Sequence, residues 1–227
     1  MNREQRAGWN RGQLARGVLL LCLVASLAGC GGLFTDRSPA AVTYVLRPAF
    51  VAAAARTEAA APVLQLATVA AAPGYATADL LVTRPDRRLD VFAASRWPDE
   101  LPRVVAELAL AALRGAAGLE AHDAAAPVAA THMLRLTVRR FDAEYRVEGS
   151  PPTVRVAIDA VVLRRSDRQV LGSFTTDSAV PTVENRLSVI VEAFERAAAE
   201  ALTATALRTD EIIKSSAARH GTATAGP

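Results

Sequence analysis

The chain has 227 residues, of which 51% are hydrophobic and 22% charged, with a formal net charge of +3. That is enough for one domain with its own core and short for two. Four arginines and one glutamate fall in residues 1–29, and the remainder carries 22 basic and 22 acidic residues, which removes the support for a nucleic-acid-binding surface.

Arg3, Arg6, Arg11 and Arg16 open the chain as a basic segment opposed only by Glu4. "GVLLLCLVASLAG", Gly17 to Gly29, is an apolar run of signal-peptide length, too short for a comfortable membrane span. It ends in "LAGC", the leucine, small residues and cysteine of a lipobox. This order predicts a lipoprotein signal peptide over residues 1–29, cut after Gly29, and a mature chain that begins at acylated Cys30. Several acyl chains on one cysteine anchor stably, since each buried CH2 contributes about 0.8 kcal/mol. The expected location is the bacterial cell envelope, lipid-anchored and facing the periplasm. Position 31 is glycine, not the aspartate that holds enteric lipoproteins in the inner membrane, which favours the outer membrane. Cys22 leaves with the signal, so no cysteine remains for a disulfide.

Residues 30–41 read as a lipidated tether, 42–208 as one domain, and 209–227, poor in residues to bury, as a disordered tail. Within the domain, "VTYVLRP" predicts a strand stopped by Pro48. "FVAAAARTEAAA" lacks an apolar stripe and reads as a loop. "PVLQLATVAA" reads as the next strand. "DLLVTR" and "RLDVFAAS" flank Pro85-Asp86 as a hairpin. From Leu101 the apolar steps become three and four, through Val104, Val105, Leu108, Ala112 and Leu113, and Gly115 and Gly118 close a helix. "HMLRLTVRRF", "TVRVAIDAVVLRR" and "QVLGSFTTDSA" alternate as strands. A second helix runs from about Val183 to Leu207, with Leu187, Ile190, Val191, Phe194, Ala198 and Ala201 as its stripe. This order predicts an α+β two-layer sandwich: a mainly antiparallel sheet with two main helices on one face.

The stretch from Leu89 to Glu100 hands a strand to a helix. Pro98, Asp99 and Glu100 suit a first helical turn. Phe92 fits packing. Ser95, Arg96 and Trp97 form a candidate partner-binding edge, because Trp and Arg are enriched among binding hot spots. The competing reading places Trp97 in the core and leaves Arg96 solvated.

The lipobox, "TYVLRP" and "PGYATADLLVTRPDRRLDVFAASRWPDELPRVVAELALAAL" together resemble the ABC-type transport auxiliary lipoprotein family, the PqiC-like group. The likeness runs from about Val42 to Leu207 and is most specific from Pro73 to Leu113. Val91-Phe92 stand where the family usually has paired aromatics, and Pro98-Asp99 where it often has Ala-Asp. The resemblance implies a non-catalytic auxiliary component of an ABC lipid-transport system. It also implies an MCE-domain substrate-binding protein and its permease and ATPase as partners.

An enzyme reading finds little. His122, His132 and His220 have no ligand spacing, and no nucleophile elbow, cysteine cluster or phosphate loop is present. No catalytic residue, metal or cofactor is expected. The alternatives are an envelope-assembly lipoprotein that docks on an outer-membrane β-barrel, or a lipid hydrolase whose site is unrecognised.

Overall fold

A computed structural model describes residues 40–51 and 62–223. The expected signal peptide, Cys30, nearly all of the tether and most of the alanine-rich loop lie outside the described residues.

The elements are β1 (Val42–Thr43), β2 (Val63–Leu66), β3 (Ala70–Ala71), β4 (Asp79–Thr83), β5 (Leu89–Arg96), α1 (Leu101–Gly115), β6 (Glu120–His122), β7 (His132–Glu144), β8 (Thr153–Arg164), β9 (Val170–Pro181) and α2 (Leu187–Ala223). β7 organises the sheet. One edge of it pairs antiparallel with β8, which pairs antiparallel with β9. The other edge receives β2, β3 and β4 end to end, all parallel. β6 adds parallel to β2, β5 antiparallel to β4, and β1 parallel to β5. The expected antiparallel pairing holds for the long strands and for the β4–β5 hairpin, while the sheet as a whole is mixed.

β8 shows why the sheet has a dry face. Val154, Val156, Ile158, Ala160 and Val162 are buried, and the residues between them are half-buried. In β7 the same alternation breaks at a bulge between Val138 and Arg140. The extra residue shifts the phase. Leu134, Leu136 and Val138 face the core before it, Phe141 and Ala143 after it.

Both helices close over this core. α1 buries Leu101, Val104, Val105, Ala109, Ala112 and Leu113, nearly the stripe expected from the sequence. α2 buries Ile190, Ala193, Phe194, Ala197, Ala198 and Ala201, where alanine at a short period keeps the helix close to the strands. Each fully buried Leu, Ile or Phe contributes about 1.5–3 kcal/mol.

Three boundaries differ from expectation. The first strand is only two residues, because β5 turns away after pairing Thr43 with Arg96. α2 starts at Leu187, and Val183 is exposed. The helix continues past Leu207 to Ala223 in place of a disordered tail. Thr209, Ile213 and Ser216, spaced four and three apart, prolong the buried face. Ile212 seats on Gly172, where a Cβ would come within 2.8 Å of the Ile212 Cδ1. The buried threonines are satisfied locally: Thr205 Oγ1 donates to the Ala201 carbonyl (2.8 Å) and Thr209 Oγ1 to that of Thr205 (2.7 Å). Among the described residues no helix is long and apolar enough to cross a membrane.

Candidate functional site

The stretch that joins β5 to α1 is built on a bulge. Asp79 pairs with Arg96 and Leu81 with Val91, so Phe92 to Ser95 stand opposite Leu80 alone. Ala94 takes up the excess with φ of 51°, a left-handed conformation costly for a residue with a Cβ. Ser95 Oγ donates to the Ala93 carbonyl at 3.1 Å. The bend drives Trp97 inward, and its backbone N–H is pinned to the Ala78 carbonyl at 2.6 Å.

Trp97 is 1% exposed. Its ring stands edge-on to Phe141 (5.9 Å between centroids) and to Phe194 (5.4 Å), which stack on each other at 5.2 Å. The trio ties β7, α2 and the lead-in to α1 together. Of the three candidate docking residues, Ser95 and Trp97 are buried and only Arg96 is exposed. Trp97 therefore takes the core alternative, and a docking edge here has Arg96 as its surface group. The helix itself starts at Leu101, so Pro102 and not Pro98 lies in its first turn. Asp99 instead organises the lead-in: its Oδ1 accepts the Glu100 N–H at 2.7 Å, and it pairs with Arg103 at 3.6 Å.

A second polar centre went unread in the sequence. Asp142 follows the β7 bulge and points away from the helices, yet it is fully buried. Its carboxylate accepts four hydrogen bonds. Tyr75 Oη (3.0 Å) and Arg140 Nε (3.1 Å) reach Oδ1, and Thr83 Oγ1 (2.7 Å) and Arg140 Nη2 (2.8 Å) reach Oδ2. Gly74, at φ 87°, makes the turn that presents Tyr75. Burial, with the Asp142 charge and hydrogen bond, pushes the Tyr75 hydroxyl up to about 12. The hydrogen bond to Asp142 raises the Arg140 guanidinium above its ordinary value. Arg140 also lies 3.8 Å from Glu144, which Arg155 reaches at 2.5 Å.

Every lone-pair direction of Asp142 is thus occupied by a protein donor. The group holds the sheet together through β4, the Pro73-Gly74 turn and β7. His122 contacts Glu120 at 3.3 Å. His132 Nδ1 lies 2.9 Å from Thr131 Oγ1. Burial, and secondarily the Arg164 charge, holds the His132 imidazole below its ordinary value. Among the described residues no group of three or more metal-ligating side chains could hold an ion.

The nine strands and two helices of the described residues define an α+β domain whose buried polar centre is fully compensated by protein donors. The family model for the ABC-type transport auxiliary lipoprotein component matches residues 44–206, and the chain belongs to that family. Among solved structures, protein XCC0632 from Xanthomonas campestris aligns with a TM-score of 0.63 at 20% identity, covering 78% of this chain and 97% of that one. An uncharacterized protein aligns with a TM-score of 0.58 at 14% identity, over 74% and 97% of the two chains. At these identities the likeness is one of fold. No curated protein matches the chain.

Proposed function

We propose that the chain is the lipid-anchored, non-catalytic auxiliary subunit of an ABC lipid-transport system, and that it docks on the MCE-domain substrate-binding subunit of that system. The observation that carries this reading is the family match over residues 44–206, nearly the whole folded domain. The basic, apolar and "LAGC" order supports attachment through Cys30 after cleavage behind Gly29, and glycine at position 31 supports the outer membrane. The fully compensated Asp142 supports a non-catalytic role. Arg96 is the surface residue we assign to the docking edge, beside the exposed Val42 and Val45.

Affinity capture of the full-length chain from its own solubilised membranes tests the reading. The MCE protein, permease and ATPase co-elute, and Arg96→Ala weakens their recovery without moving the melt. Elution of the chain without an MCE protein overturns the proposal.

A further inference from the structure

Where β7 begins and β8 turns into β9, two open clefts adjoin. One, of about 570 Å³, is lined by Thr131, His132, Ser216 and the pair Arg164 and Arg165. The other, of about 330 Å³, is lined by Met133, Arg135, Arg168 and the same pair. Residues distant in sequence meet here because His132 stands opposite Arg164 in the β7–β8 ladder.

The charges in this corner are unbalanced. Arg164 pairs with Asp167 at 2.9 Å. Arg135, Arg165 and Arg168 have no ion-pair partner among the described residues. Arg165 is instead held by a neutral group: its Nη1 donates to the Gln65 Oε1. Gln65 is buried, and its Nε2 donates to the Ala124 carbonyl at 3.2 Å. The guanidinium is thereby positioned with its charge intact. The Arg165 N–H donates to the Thr131 carbonyl at 2.9 Å, which fixes the rim shared by both clefts. The field is felt next door, where burial and then the Arg164 charge hold the His132 imidazole below its ordinary value.

We propose that the second cleft, which Arg135, Arg165 and Arg168 all line, is a binding site for a phosphate group held by these three. Guanidinium forks match phosphate oxygens in pairs, and several on one corner suit a group with more than one charged oxygen. Two sources carry that chemistry, a phospholipid headgroup and a free phosphate. The site rests on its own charges and not on the transporter partner, so a chain that captures no MCE protein would still bind phosphate.

Calorimetric titration of the full-length chain in neutral detergent tests this, with inorganic phosphate, dihexanoyl phosphatidylglycerol and dihexanoyl phosphatidylcholine as separate probes. Phosphate binds saturably, and the double variant Arg135→Gln/Arg165→Gln weakens it at least about tenfold, the loss expected on removing charged hydrogen bonds. Arg103→Gln, on α1, leaves it unchanged. Phosphatidylglycerol binding tighter than phosphate, with phosphatidylcholine weaker, identifies a headgroup. Phosphate binding tighter than either lipid identifies a soluble ligand. Both outcomes support the site. No binding of any probe, or equal binding by the double variant with an unchanged melt, overturns it.

Discussion

The Trp97 ring stands edge-on to the Phe194 ring at 5.4 Å, so the residue that leads into α1 is locked to the N-terminal part of α2. Both are essentially inaccessible to water. Truncating either leaves a cavity on the stacked Phe141. Phe194→Ala and Trp97→Ala should each cost about 3–5 kcal/mol, and exposed Glu192→Ala less than about 0.5 kcal/mol. Chemical denaturation measures all three. Phe194→Ala and Glu192→Ala unfolding at one midpoint would contradict the packing.

Asp142 and Arg140 form a pair whose carboxylate is fully buried and whose guanidinium is about a third exposed. Breaking a buried pair costs about 3–5 kcal/mol, and partial exposure of the cation trims that. Asp142→Ala should therefore lose about 2–4 kcal/mol. Asp159→Ala, on the more exposed Arg139–Asp159 pair, should lose under about 1 kcal/mol. Equal losses would show that the Asp142 cluster adds nothing to the sheet.

Tyr75 makes the same cluster sensitive to alkali. A free tyrosine hydroxyl titrates near 10 and that of Tyr75 near 12. Between those values the folded chain keeps a proton that the unfolded chain has lost, so stability falls as pH rises. The contribution is intact below about 10 and gone above about 12. Urea midpoints followed across this window should fall further for the wild type than for Tyr75→Phe. Parallel curves would contradict the assignment.

These elements were not equally readable in the chain. The stripe Ile190, Phe194, Ala198 and Ala201 could be seen because a helix repeats every 3.6 residues. The β4–β5 hairpin announced itself through Pro85-Asp86. The parallel edge of β7 did not, because β2, β3 and β4 have four, two and five residues. Segments that short carry almost no periodicity, and their pairing is decided by β7. Asp142 was hidden because the bulge after Val138 breaks the alternation that would have assigned its face. Trp97 allowed two readings because its direction depends on the positive φ of Ala94, which composition does not announce. The arginine corner joins residues about thirty positions apart, from the start of β7 and the end of β8, and only the strand register brings them together.

Acylation at Cys30 has a direct readout. Cys30→Ser should leave an unprocessed precursor with no lipid mass, while the wild type begins at Cys30 with its acyl groups. Intact-mass spectrometry distinguishes them. A wild-type chain that retains Met1 and carries no acyl mass would end the lipoprotein reading.

Titration of the purified MCE-domain subunit from the same envelope against the full-length chain in detergent tests the central claim most directly. The account predicts saturable binding that Arg96→Ala weakens while its melt stays at the wild-type value. An MCE subunit that shows no saturable binding to the folded, acylated chain would contradict it.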